Sequence, residues 1–101
     1  MAVTKSLATE REILRPLWKV HILHHAGETP IVGNWMLEEL REHGYRVSPG
    51  TLYPLLGRMV RLGWLSRSRD GRYRLTVAGR KTLTEVRTRL RELQGEVSPK
   101  S

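Results

Sequence analysis

Only one stretch of this chain reads as paired strands, and the longer segments around it follow a helical period. Trp64-Leu65-Ser66-Arg67-Ser68-Arg69 runs into Asp70-Gly71, the dipeptide favoured in two-residue hairpin turns, and leaves through Arg72-Tyr73-Arg74-Leu75. A two-residue loop would set Arg69 opposite Arg72 and Arg67 opposite Arg74. Side chains alternate along a strand, so the four arginines would share one face, with Ser68 and Tyr73 on the other. Like charges directly opposite destabilise a hairpin. Such a face makes sense when a polyanion covers it.

The charge of the whole chain agrees. Eighteen Lys and Arg against ten Asp and Glu give a formal net charge of +8. Residues 44–81 hold nine of the bases (Arg46, Arg58, Arg61, Arg67, Arg69, Arg72, Arg74, Arg80, Lys81) and one acid, Asp70, while the remainder is balanced. A zoned surplus points to double-stranded nucleic acid before an anionic membrane. No apolar run approaches the roughly 20 residues of a membrane span, and the N-terminus lacks the apolar stretch of a signal peptide. No membrane partner is expected, and the cytoplasm is the expected address. With no cysteine, disulfides, thiol catalysis and cysteine zinc sites are excluded. Ser48 and Thr51 have no His/Asp arrangement near them, and no glycine-rich phosphate loop follows a strand. The chain is not expected to be an enzyme or to carry a cofactor.

A length of 101 residues fits one domain. Residues 1–8 and 95–101 read as loose tails. The first helix is predicted from about Thr9 to Ala26, capped by Thr9, with Ile13, Leu17, Val20 and His24 on one stripe. Leu14, Trp18, His21 and His25 form the neighbouring stripe, and Pro16 predicts a kink or a later start. Gly27, Gly44 and Gly63 each fit the left-handed position that ends a helix. Thr29-Pro30-Ile31-Val32 reads as a turn and short extended segment. A second helix over Gly33–His43 would bury Trp35 or Met36, Leu37 and Leu40.

The third helix lies between Ser48 and Leu62. Ser48-Pro49 resembles a cap followed by a first-turn proline, but Pro54 would deny the Gly50 carbonyl its partner. A start at Thr51, or a tight non-α first turn, resolves the conflict. Leu52, Leu55, Met59 and Leu62 form the predicted buried stripe. Opposite lie Gly50, Tyr53, Pro54, Gly57 and Arg61, flanked by Thr51 and Arg58. That face has no acid, two small residues that permit close approach, and hydrogen-bond donors around them. It suits a major groove. A last helix from Thr76 to Leu93 carries Leu83, Val86, Leu90 and Leu93 in a narrow seam with no further chain to cover it. Self-association is the simplest cover.

Helix, short strand, helix, helix, two-stranded wing, helix is a mainly α order with a small β wing. It is that of a winged helix-turn-helix (9–75) with an added C-terminal dimerisation helix (76–94). The run Ser48-Pro49-Gly50-Thr51-Leu52-Tyr53-Pro54-Leu55-Leu56, then Arg58-Met59, Leu62-Gly63-Trp64-Leu65 and Tyr73-Arg74-Leu75-Thr76-Val77-Ala78-Gly79-Arg80, resembles the PadR family of transcriptional regulators. The resemblance covers about residues 10–94. It implies a cytoplasmic homodimer on an inverted repeat in promoter DNA, acting as a repressor. It also implies a recognition helix at 51–62 with Thr51 and Tyr53 among its DNA contacts, and a basic wing reaching phosphate or minor groove. Ser48, Arg58, Arg61, Arg67, Arg69, Arg72 and Arg74 complete the candidate DNA contacts. In the short form of the family, which this chain matches, the single C-terminal helix pairs with the first helix across the dimer. The wing is shorter than usual, and the first helix ends in histidines. No motif identifies the family's cavity for planar aromatic effectors.

Two features fall outside this reading. Trp18 on the first helix is the candidate platform for a small planar aromatic ligand at the dimer interface, the alternative being a core tryptophan. His21 and His25 stand one turn apart with His24 beside them, a spacing that can bind metal. No third ligand is identified, so packing or complementing the helix dipole is the simpler role and no metal ligand is assigned. The rival functions are a winged-helix module that binds protein and a metal- or pH-responsive regulator using the His21/His24/His25 cluster. An acidic or apolar third helix would favour the first of these; this one is basic.

Overall fold

The computed structural model of the chain describes residues 6–99. Its elements in order are α1 (Leu7–Thr9), a π-helical turn (Glu10–Leu14), α2 (Leu17–Glu28), α3 (Gly33–Glu42), α4 (Pro49–Arg61), β1 (Leu65–Arg67), β2 (Tyr73–Leu75) and α5 (Val77–Val97). Of the two predicted tails, residues 1–5 and 100–101 lie outside the described residues. The rest are largely helical: α1 begins at Leu7 and α5 runs on to Val97.

Pro16 divides the first predicted helix. Lacking an N–H, it ends the π turn and opens α2, and Trp18 N–H donates to the Arg15 carbonyl at 3.0 Å. The cap is Ser6, whose hydroxyl accepts from Thr9 N–H, and not Thr9. Within the π turn Arg15 N–H reaches back five residues to the Glu10 carbonyl at 2.8 Å. Glu10, only 3% exposed, accepts from Arg46 N–H at 3.0 Å and so joins this turn to the loop between α3 and α4. The buried side of α2 is Trp18, Ile22, Leu23 and Ala26, while Ile13 is exposed. Gly27 lies inside α2 and ends nothing.

Gly44 and Gly63 do adopt left-handed φ, +88° and +83°, and close α3 and α4. Helix α3 buries Met36, Leu37 and Leu40 and leaves Trp35 exposed. The core is formed where α2, α3 and α4 meet, with Leu52, Leu56 and Met59 from α4 and Leu65, Tyr73 and Leu83 from the wing and α5. Leu56 therefore replaces Leu55 in the predicted stripe, and Leu62, at the end of α4, is exposed.

The wing is a two-stranded antiparallel sheet, but its register differs by one from expectation. Leu65 pairs with Leu75, Ser66 with Arg74 and Arg67 with Tyr73. Ser68 N–H donates to the Arg72 carbonyl and Gly71 N–H to the Ser68 carbonyl, each at 2.9 Å. With Gly71 at φ +84°, Arg69-Asp70-Gly71 forms a three-residue loop ending in a left-handed glycine. The extra residue removes the arginine pairs from direct opposition. Arg67 now shares a face with Leu65 and Tyr73, its guanidinium 5.6 Å over the Tyr73 ring, while Arg74 sits with Ser66 on the other face. The expected single face of four arginines is not formed.

Asp70 organises the loop. Its carboxylate accepts from the Ser68 hydroxyl and from Arg72 N–H, and these hydrogen bonds hold it below its ordinary pKa. At the far end of β2, Thr76 caps α5 by accepting from Gly79 N–H at 2.9 Å. Gly79 is buried where α5 meets the wing, and a Cβ there would lie 2.1 Å from the Trp64 carbonyl oxygen.

Two outcomes follow. Gly79→Ala forces backbone apart and should lower stability by about 1–3 kcal/mol or more in urea unfolding; unchanged stability would show that α5 can lift off the wing freely. The Asp70 carboxyl should titrate below the usual carboxylate range by NMR, and Ser68→Ala should move it back up. Because folding lowers this pKa, the contribution of Asp70 is complete at neutral pH and is lost as pH falls through the lowered value. An ordinary pKa in the native chain would contradict the loop geometry.

Candidate nucleic-acid interface

Helix α4 starts at Pro49, with Ser48 in extended conformation at the cap position, and does not wait for Thr51. Thr51 and Leu52 N–H both donate to the Ser48 carbonyl, at 3.0 and 2.9 Å, and the two hydroxyls of Ser48 and Thr51 lie 3.1 Å apart. Pro54 is accommodated because it and Gly50 are exposed, so water can serve the Gly50 carbonyl. The result is a helix with Leu52, Leu56 and Met59 inward and Gly50, Tyr53, Pro54, Arg58 and Arg61 outward.

Tyr53 has a second task. A Cβ on Gly33 would lie 2.5 Å from Tyr53 Cε1, so the ring rests directly on the first residue of α3, leaving 42% of the residue exposed. It braces α3 against α4 and still presents surface outward. Arg61 lies along Gly57, its Nη1 3.6 Å from where a Cβ would be. Arg58 points to the other flank. It lines a groove with Thr51, Arg11, Arg15 and Lys19, above Trp18.

That groove was not legible in the sequence. Arg11, Arg15 and Lys19 belong to the part of the chain whose charge sums to zero, yet the fold sets them beside α4. Of their acidic neighbours in sequence, Glu10 is drawn away, since it is buried against Arg46 N–H. Among the wing residues Arg67, Arg69, Arg72 and Arg74 are all exposed. Arg72 leans 3.9 Å from the Asp70 carboxylate.

The remaining candidate residues divide differently from expectation. Leu83 is 3% exposed and belongs to the core of its own chain, so it is not available to a seam. Val86 is half-buried, and Leu90, Leu93 and, four residues further, Val97 continue the row on exposed α5. Trp18 is fully buried with the Arg15 guanidinium 5.5 Å over its ring, so it offers no open platform for a planar ligand.

The histidines run from the middle of α2 to its last turn and stand at the end of α3. His21 Nε2 and the Tyr45 hydroxyl are 2.8 Å apart, and His24 Nδ1 is 3.1 Å from an Arg87 nitrogen on α5. Burial, with the nearby His43, His25 and His24 charges, lowers the His21 pKa. Two residues absent from the predicted cluster join it: His43 and Glu39, whose carboxylate lies 3.6 Å from His25 Nε2 and 3.3 Å from His43 Nε2. No helix among the described residues is long and apolar enough to cross a membrane.

Comparison with known proteins agrees with this architecture. Residues 22–85 match the transcriptional regulator PadR-like family. The chain is 51% identical over 94 residues to the transcriptional regulator Rv3488 of Mycobacterium tuberculosis, covering 86% of this chain and 88% of that one. A PadR-like transcriptional regulator from Bacillus cereus has a similar structure, with a TM-score of 0.74 at 26% identity, over 85% of this chain and 92% of that one. A PadR-like transcription factor from Bacteroides fragilis gives 0.71 at 27% identity, over 88% and 94%. The helix-turn-helix, the wing and the helix that follows are thus those of a PadR-like transcriptional regulator, and the chain belongs to that family.

Proposed function

We propose that this protein is a homodimeric, sequence-specific DNA-binding repressor that occupies an inverted-repeat operator in the cytoplasm. The observation that carries the reading is the outward face of α4: exposed, free of acids, and bordered on both sides by arginine. Gly50 and Gly57 allow the helix backbone close to a major-groove wall, and Arg58 and Arg61 are long enough to reach guanine edges. Ser48, Thr51 and Tyr53 suit phosphate contacts at the start of the helix. Arg67, Arg69, Arg72 and Arg74 would neutralise phosphates beyond the groove, with Arg11, Arg15 and Lys19 doing so on the other flank.

The dimer in this reading is formed through Val86, Leu90, Leu93 and Val97, an apolar row that one chain leaves open. Two copies would set their α4 helices one DNA turn apart, about 34–36 Å. Repression then needs only occupancy of the promoter. A planar aromatic effector acting through Trp18 would first have to displace Arg15, and no such ligand is part of the proposal.

Light scattering should give a native mass near twice the 11.7 kDa of one chain, and Leu90→Glu should bring it to that of the single chain. A native protein of single-chain mass at micromolar concentration contradicts the assembly. Fluorescence anisotropy on operator and random duplexes should separate the two kinds of contact. Arg58→Ala or Arg61→Ala should cost about 1–3 kcal/mol on operator and less on random DNA. Removing Arg69 and Arg72 together should weaken both and flatten the slope of log K against log salt by roughly 0.9 per lost phosphate contact. Equal losses on both duplexes from all these variants would refute the division.

A further inference from the structure

We propose that His21, His25 and His43, joined by Glu39, form a binding site for a divalent transition-metal cation of the zinc class that ties α2 to α3. Each of the three imidazoles has a ring nitrogen within 4.8 Å of a ring nitrogen on the other two. Four-coordinate zinc holds nitrogen at about 2.0–2.1 Å, which sets neighbouring ligand atoms roughly 3.3–3.4 Å apart, so the site must tighten by about an ångström. His43 can supply that movement, since its side chain is 49% exposed at the end of α3.

Three arrangements favour a cation over a packed cluster of imidazoles. The first is the acid. Glu39 Oε1 lies 3.6 Å from Nε2 of His25 and 3.3 Å from Nε2 of His43, so one carboxylate oxygen stands between two of the ligands and sets an anionic donor beside them. The second is support behind the ligands. The Tyr45 hydroxyl lies 2.8 Å from His21 Nε2 and fixes that ring, as outer partners of metal-binding histidines do. The edge of His25 is held against Trp35, with ring centroids 5.2 Å apart. The third is proximity: the His21 and His43 rings lie 4.9 Å apart, close enough for a small hinge of the exposed His43 to bring both onto one ion. Imidazole donors select zinc, nickel, copper or cobalt over calcium and magnesium.

A competing set, His24, His25 and Glu28, shares His25 but lies along α2 alone. Three i, i+1, i+4 neighbours on one helix offer an ion little beyond that helix. The proposed set spans two helices, and His43 directly precedes Gly44 and the turn into α4. A cation held there fixes the exit of α3, from which the recognition helix hangs.

The site is read from histidine geometry and not from the DNA-binding mode, so it is tested on the free protein. Untagged chain is titrated with Co²⁺, followed by visible absorption, and then with competing Zn²⁺, followed by calorimetry. Co²⁺ should raise ligand-field bands of a low-coordinate histidine site that Zn²⁺ abolishes. His43→Gln and Glu39→Gln should each weaken Zn²⁺ by about tenfold or more, whereas His24→Ala should leave it unchanged. Circular dichroism checks that the exposed His43 variant is folded, and His25→Gln provides a second loss from the other helix. Absence of bands at near-millimolar protein, with no calorimetric signal for Zn²⁺, overturns the proposal. So does Zn²⁺ affinity that His43→Gln leaves intact, or affinity lost in His24→Ala instead.

Discussion

Two backbone hydrogen bonds join the halves of this fold. Ile31 N–H donates to the Tyr73 carbonyl at 2.9 Å, and Tyr73 N–H returns to Ile31 at 2.8 Å. A hairpin of three residues per strand is marginal by itself in water. Here one residue of the α2–α3 connection acts as a third strand, and both Ile31 and Tyr73 are buried, 2% and 5% exposed. The wing is thereby held to the helix-turn-helix at its base and free at its tip. Tyr73 also carries Arg67 on its ring, so the same residue anchors the sheet and aims a cation.

Charge in this molecule is arranged by tertiary structure as much as by sequence order. A stretch of 38 residues holds the whole formal surplus, yet the groove beside α4 draws three further cations from a segment that is neutral overall. The π turn takes one acid away from them. By turning Glu10 inward to Arg46 N–H, it leaves Arg11 and Arg15 on the surface side. Local repulsion is relieved in the same spirit at the wing tip, where an additional loop residue parts the arginines and Asp70 fastens the turn.

Element order was legible because punctuation was strong: Gly44, Gly63 and Asp70-Gly71 mark boundaries the structure keeps. Finer choices failed where two solutions share one signal. A glycine after Asp70 serves both a two-residue turn and the third position of a longer one, and only the unfavourable facing of Arg67 with Arg74 argued for the second. The α4 stripe was read with Leu55 in place of Leu56 because both follow helical spacing from Leu52. Helix α4 packs against both α3 and β1, and its buried side is set by that geometry. Leu83 looked like part of an open seam since its heptad neighbours are; the fold covers it against α2, and the seam begins a turn later. His43 and Glu39 carry no spacing signal towards His21. Only the folding of α3 alongside α2 brings them together.

The three-residue tip restricts how a wing like this can change in length. Each strand has three residues from base to loop, and Leu65 opposite Leu75 must stay inward to meet the core. Inserting one residue in each strand would keep that base pairing but turn the loop over, carrying Arg69 and Arg72 to the opposite side of the sheet. Two residues per strand restore their direction. Lineages of this architecture can therefore lengthen the arm while preserving its aim only in steps of four residues, so that alignment gaps in the tip should be quantised and two-residue differences should coincide with a relocated basic cluster.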